Sequence, residues 1–156
     1  MKLVRFIVAL SICFIIAGLG SLVTYPSIPT WYANLIKPFF TPPSFVFGPV
    51  WTILYIMMGT ALYIVWDKKT KKRKLKKLAV KVFLLQLVLN FLWSYVFFYL
   101  NMLWMSVLVI VFLWVSIFIC IKLFSKISKT ASYLLYPYIV WVSFATLLNI
   151  AISVLN

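Results

Sequence analysis

The sequence predicts an all-α integral membrane protein, a single bundle of five transmembrane helices with a long proline-rich, aromatic connection after the first. Three observations carry that expectation. Hydrophobic residues make up 66% of the chain and charged residues 10%, with Asp67 the only acid. A water-soluble surface normally carries charge over about a quarter of its area, which this composition cannot supply. Five apolar runs recur along the 156 residues, each long enough to cross roughly 30 Å of hydrocarbon as a helix. None of them shows the polar alternation of a barrel strand facing a lumen.

The predicted spans are residues 3–25, 45–66, 79–100, 102–123 and 131–153, placed by apolar length. Lys2 and Arg5 open the first. With Gly18 and Gly20 at a plausible cleavage spacing they also fit a signal peptide, but the apolar stretch runs on through Leu22 and Val23, which favours a retained span. Residues 26–44 form the long connection, and Trp31 to Trp51 reads WYANLIKPFFTPPSFVFGPVW. Pro38, Pro42, Pro43 and Pro49 stiffen that backbone while its side chains stay aromatic, unlike a passive polar linker. The third and fourth spans nearly touch at Asn101, which predicts a tight hairpin. The fifth span completes one domain over residues 1–156, with no room for an added soluble domain.

Charge orients the bundle. Five spans put the N-terminus and the 67–78 and 124–130 loops on one side. That side and its helix ends hold Lys2, Arg5, the cluster from Lys68 to Lys81, Lys122, Lys126 and Lys129, while Lys37 stands alone opposite. The split of 14 to 1 predicts an inside N-terminus and an outside C-terminus. The net charge of +14 therefore reads as a topology signal that also touches an anionic inner leaflet. A nucleic-acid surface is not predicted, because no aromatic-interleaved basic platform accompanies the lysines.

The missing residues limit the chemistry. There is no histidine, Asp67 lies at the inner boundary, and Cys13 and Cys120 sit in separate spans without a CxxC partner. Metal hydrolysis and conventional acid–base catalysis lack their usual groups, so neither a metal site nor an obligatory cofactor is predicted. Both cysteines read as small buried apolar residues. Proton-coupled transport lacks the ionisable group it usually keeps within its spans.

Depth along each helix locates the polar residues. At 1.5 Å per residue, Asn90, Trp93 and Ser94 lie roughly 9 to 15 Å below the outer end of the third span, with Gln86 a turn deeper. Trp51 of the second span and Ala145 and Asn149 of the fifth reach the same layer, with Trp141 slightly deeper. Ser21 and Thr24 join it from the first. An apolar pocket with a few polar handles, covered by the 26–44 connection, is one reading. Hydrogen bonding between helices is the other reading for Gln86, Asn90 and Asn149. Trp31, Trp66 and Trp104 read as interfacial belt residues, whereas Trp51, Trp93, Trp114 and Trp141 are too deep for that.

Trp31-Tyr32-Ala33, Lys37-Pro38, Pro42-Pro43, Phe47-Gly48-Pro49-Val50-Trp51 and Leu54-Tyr55 together resemble a long ordered stretch of the tryptophan-rich sensory protein and translocator protein family. QLVLNFLW from Gln86 and LLYPYIVWVSFATLLN from Leu134 resemble that family's third and fifth helices. The resemblance implies a five-helix bundle that often forms a homodimer and binds porphyrins and drug-like aromatic ligands under its first loop. The positions it implies as ligand-binding are Tyr32, Pro42, Trp51, Asn90, Trp93, Trp141 and Ala145. It also associates Trp51 and Trp141 with light-dependent breakdown of bound porphyrin. After Phe144-Ala145-Thr146 the chain continues LLNIAISVLN, which lacks the tyrosine and basic residue of a cholesterol-recognition pattern. Cholesterol import is therefore not carried over.

Three functions follow as expectations. The first is a tetrapyrrole-binding membrane receptor, sensor or carrier, with a ligand such as protoporphyrin IX. The second is a photo-oxidative enzyme in which the excited porphyrin supplies the chemistry. The third is a structural protein whose aromatics only pack. Without histidine, a haem would have only cysteine, methionine or tyrosine as axial ligand, which favours metal-free tetrapyrroles. Lys37 is a candidate partner for a porphyrin carboxylate, or an interfacial lysine reaching for water. The lysine-rich inner side favours a bacterial plasma membrane.

Overall fold

Five apolar stretches become five long helical rods in the computed structural model, which describes residues 2–156. Helix α1 (Lys2–Ser27) is prolonged by a π-helical turn, Ile28–Tyr32. Helix α2 spans Ser44–Asp67, and α3 (Arg73–Ser94) is again prolonged by a π-helical turn, Tyr95–Tyr99. The remaining helices are α4 (Leu103–Ser125), the short α5 (Lys129–Tyr133) and α6 (Tyr136–Leu155). No strand occurs among the described residues. The fold is an all-helical membrane bundle with two ends, a lysine end holding Asp67 and the 68–72 turn, and a loop end holding residues 35–43.

Three boundaries differ from those the sequence predicts. The first rod does not stop near residue 25. It runs through Pro26 and Pro29 to Tyr32, and residues 33–34 are still helical. Proline lacks the N–H of a regular helical bond, and the wider π turn absorbs the loss without ending the rod. The connection expected over 26–44 thus shrinks to residues 35–43. Helix α3 begins at Arg73, six residues before the expected 79, because lysine and leucine favour helix even where they are too polar for hydrocarbon. The fifth span is split at Leu134–Leu135. Pro137 cannot donate to Tyr133, so Leu135 N closes a tighter turn on Ser132 O at 3.1 Å before α6 starts.

Between α3 and α4, Asn101 has φ 56°, a left-handed conformation that asparagine tolerates better than most residues. That residue makes the tight hairpin expected there. At the lysine end, Arg5 Nη1 donates to Asp67 Oδ1 at 2.9 Å and ties the start of α1 to the end of α2. Lys76 Nζ donates to the carbonyls of Trp66 and Lys68, so α3 supplies a cation to the negative end of α2.

Packing is uneven along the bundle. Toward the lysine end Ala9, Met58, Val65, Phe83, Leu113 and Phe124 are fully buried, and the rings of Phe83 and Phe124 stack at 5.8 Å. Helices α1 and α2 touch in this half. A Cβ built on Gly59 would meet Leu10 Cδ2 at 2.7 Å and Leu10 Cα at 3.0 Å. Nearer the loop end α1 leans on α3 instead, where a Cβ on Gly20 would lie 3.7 Å from Ser94 Oγ. Helix α1 therefore crosses from one neighbour to the other, and the loop half is left open beside α2.

Gly59→Val is expected to lower stability by about 1–3 kcal/mol through overpacking against the α1 backbone. Gly20→Ala, which meets only ordinary contact, is expected to be neutral or slightly stabilising. Thermal unfolding of the detergent-solubilised protein checks both, and equal behaviour of the two variants would contradict the crossing.

Candidate functional site

The hollow half encloses a cavity of about 700 Å³ walled by α1, α2, α3, α6 and both π-helical turns. That volume lies within the roughly 300–1,000 Å³ of small-molecule sites. Each wall has a local cause. On α2, Trp51 and Tyr55 are four residues apart and share a helix face, with ring centroids 5.7 Å apart. On α3, Asn90, Trp93 and Ser94 follow the same spacing, and the π turn then adds Phe97 and Phe98 to the wall. From the other π turn, Tyr32 packs on Phe97 and Phe98 at 6.3 and 5.8 Å and covers the loop end together with Ile28.

Four side chains join α2, α3 and α6 at the cavity floor. Tyr55 Oη donates to Asn90 Oδ1 at 2.6 Å, and Asn90 Nδ2 donates to Tyr138 Oη at 2.9 Å. Tyr138 Oη donates onward to Gln86 Oε1 at 2.8 Å. Each hydroxyl is thus oriented by the next acceptor, which matters where no water is at hand to substitute. Gln86 Nε2 has no partner among the described residues. A second set fixes the wall itself, with Trp93 Nε1 donating to Asn149 Oδ1 at 2.9 Å and Asn149 Nδ2 donating to Ser106 Oγ at 3.0 Å. Trp93 is therefore held edge-on by α6, while its ring lies 6.5 Å from that of Trp51.

Of the residues singled out in the sequence, Tyr32, Trp51, Asn90, Trp93 and Ala145 all line the cavity. Pro42 and Trp141 do not. Trp141 packs against Phe47 at 6.0 Å and Phe144 at 5.5 Å, and its Nε1 is buried without a partner among the described residues. Phe47 is the side chain of that group that reaches the cavity. Trp114 is explained by a 2.7 Å hydrogen bond to Ser143 Oγ that joins α4 to α6. Trp31 packs edge-on against Phe97 at 5.3 Å.

Residues 35–43 do not line the cavity. They lie over the ends of α1 and α6, with Phe40 against Phe144 at 6.3 Å. Asn156 brackets Ile36, accepting from its N–H and donating to its carbonyl, both at 2.9 Å. Lys37 Nζ sits 4.8 Å above the Tyr32 ring and donates to the carbonyls of Ala33 and Leu35.

Sequence reasoning missed Tyr138, Phe97 and Phe98. Tyr138 carries a signal that could have found it, since a phenol in mid-span needs a hydrogen-bond partner. The phenylalanines carry none, because lipid-facing and cavity-facing phenylalanine look alike in sequence.

The chain matches the TspO/MBR family over residues 8–155. It is 42% identical to tryptophan-rich protein TspO of Chlorobaculum tepidum over 147 residues, 94% of this chain and 92% of that one. To the protein of the same name from Archaeoglobus fulgidus it is 40% identical over 156 residues, 100% of this chain and 99% of the other. The human translocator protein is 33% identical over 119 residues, 76% of this chain and 70% of its own.

Tyr138→Phe removes the hydroxyl between Asn90 and Gln86 and leaves two buried amides short of a partner, an expected loss of about 1–3 kcal/mol. Tyr63→Phe, whose ring packs edge-on against Phe6, is expected to change little. Unfolding in detergent of both variants gives the comparison, and a Tyr138→Phe protein as stable as Tyr63→Phe would contradict the floor network.

Proposed function

We propose, for a chain that belongs to the TspO/MBR family, a membrane receptor, sensor or carrier that holds a porphyrin such as protoporphyrin IX in the loop-half cavity. The observation that carries this reading is the wall itself. Trp51, Trp93 and Tyr32 offer ring faces and edges around a space of about 700 Å³, with Asn90 as a polar contact on its floor. A flat apolar disc gains both buried area and aromatic contact there. Drug-like aromatic molecules satisfy the same requirements.

The ionic groups set the ligand's orientation. No lysine, arginine, aspartate or glutamate lines the cavity among the described residues, so the acidic edge of a porphyrin is costly to bury there. That edge points to the loop end, where Lys37 stands over Tyr32 at the rim. The wall also holds no cysteine or methionine among the described residues, which leaves tyrosine as the one remaining type of axial ligand for a metallated tetrapyrrole. The cover is the helical Ile28–Tyr32 turn with residues 35–43 packed beside it. In this reading the loop end faces outward from a bacterial plasma membrane, as the distribution of lysines supports, and two copies pair as a homodimer. The name of the human relative, a translocator protein, supports carriage as one form of the function.

One arrangement favours a second reading, light-dependent porphyrin breakdown. Trp51 is surrounded by the rings of Tyr55, Trp93 and Tyr138 at 5.7, 6.5 and 6.2 Å, a cluster of oxidisable side chains that meets the cavity through Trp51, Tyr55 and Trp93. Trp141 lies off the wall behind no such cluster, packed on Phe47.

Titration with protoporphyrin IX, followed by tryptophan quenching, is expected to show saturable binding. Trp51→Ala or Asn90→Ala is expected to weaken it about tenfold, a change of about 1.4 kcal/mol. Trp104→Ala, at an exposed site on α4, is expected to leave it unchanged, and equal affinity in all three variants would contradict the assignment. Under illumination, Trp51→Phe is expected to slow porphyrin bleaching more than Trp141→Phe does. Bleaching at the same rate with and without the protein would remove the second reading.

A further inference from the structure

We infer that the ligand reaches this cavity sideways from the hydrocarbon of the membrane, through a slot between α1 and α2 in the loop half. The inference rests on the porphyrin-binding reading above and adds the route and the phase from which the ligand is drawn. A residue that lines a closed cavity is shielded from the outside of the bundle, yet several lining residues here are exposed on it. Gly18 and Ser21 of α1 and Gly48 and Thr52 of α2 line the cavity and are at the same time exposed. Tyr25 and Phe45 flank them at the loop end, each 78% exposed. The cavity therefore continues to the lateral surface between these two helices.

The crossing of α1 explains the slot. The helix is pressed against Gly59 of α2 toward the lysine end and against Ser94 of α3 toward the loop end, so its distance from α2 must grow along the way. At the opening, a Cβ built on Gly18 or Gly48 would meet no atom within 4 Å. The hydroxyls at the margin are internally satisfied, with Ser21 Oγ donating to Ala17 O and Thr52 Oγ1 to Gly48 O, both at 2.9 Å. A polar margin so satisfied makes no demand for water inside the bilayer. At the aqueous end, by contrast, Ile28 and Tyr32 cover the space, and Asn156 fastens the adjoining segment at Ile36.

The class of ligand follows from that geometry. It is a planar molecule that partitions into the leaflet on the loop side, slides its apolar body between the helices and keeps its acidic edge at the headgroup level beside Lys37. Ligand confined to water is excluded by the covered end.

Wild-type protein, Gly18→Leu/Gly48→Leu and Asn156→Ala are to be compared in nanodiscs, with protoporphyrin IX added and tryptophan quenching followed by stopped flow. Filling the slot is expected to slow association about tenfold, within the range that conformational access imposes on binding rates, and to slow dissociation in step. Loosening the loop by Asn156→Ala is expected to leave association at the wild-type rate. Association unaffected by the leucines, or accelerated by Asn156→Ala, would overturn the lateral route while leaving the binding reading intact. A wild-type protein that binds no porphyrin removes the binding reading instead. The slot is then read without ligand, using lipids with brominated acyl chains. The quenching lost on Trp51→Phe is expected to be substantial in the wild-type background and small in the leucine background, and a Trp51 shielded from the chains in both would overturn the slot.

Discussion

Inside a bilayer a buried polar group has no water to fall back on, and the placement of α2, α3 and α6 depends on that constraint. Tyr55, Asn90, Tyr138 and Gln86 satisfy one another across the three helices in a single directed chain. The hydrophobic effect does not drive helices together in lipid, because the tails are as apolar as the side chains, so close packing and interhelical hydrogen bonds set their separation. Where a cavity replaces close packing, the hydrogen bonds carry that role. The chain holds the helices apart by the length of these side chains, and the cavity lies directly on its loop side. Trp93, fixed through Asn149 to Ser106, extends the same logic to the wall.

The lysine half is filled by close-packed side chains and carries the Arg5–Asp67 pair and the Lys76 cap. The loop half exchanges packing for space. Two π-helical turns stand at its top, at Ile28–Tyr32 and Tyr95–Tyr99, and such turns occur often at functional sites because they redirect side chains within a continuous rod. Here they turn Tyr32, Phe97 and Phe98 into one aromatic cover. Rigidity and room are thus divided between the ends of the same five rods, and Helix α1, which changes partners midway, belongs to both.

The number of rods and the Asn101 hairpin were legible in the sequence, because apolar length and a single junction residue decide them. So was the height of the cavity, since 1.5 Å per residue places its lining residues Trp51, Asn90, Trp93 and Ala145 in one layer. Height is not azimuth. Trp141 shares that layer but points to Phe47 rather than into the cavity, and depth arithmetic has no means of separating the two. The helical turn through Pro29 was hidden for another reason. Proline normally ends a helix, and only the packing of Tyr32 on Phe97 and Phe98 makes the wider turn worthwhile. Tertiary contacts of that kind leave no local trace.

The central claim is that the loop-half cavity is the place where a planar aromatic ligand sits. Fluorine spectra of protein carrying 5-fluorotryptophan at its seven tryptophans resolve that claim by residue, because ring currents from a bound porphyrin shift nearby resonances. The account predicts large shifts for Trp51 and Trp93, a smaller one for Trp141, and none for Trp66 at the lysine end or Trp104 on the lipid face. Shifts confined to Trp66 and Trp104, with Trp51 and Trp93 unmoved at saturating porphyrin, would contradict it.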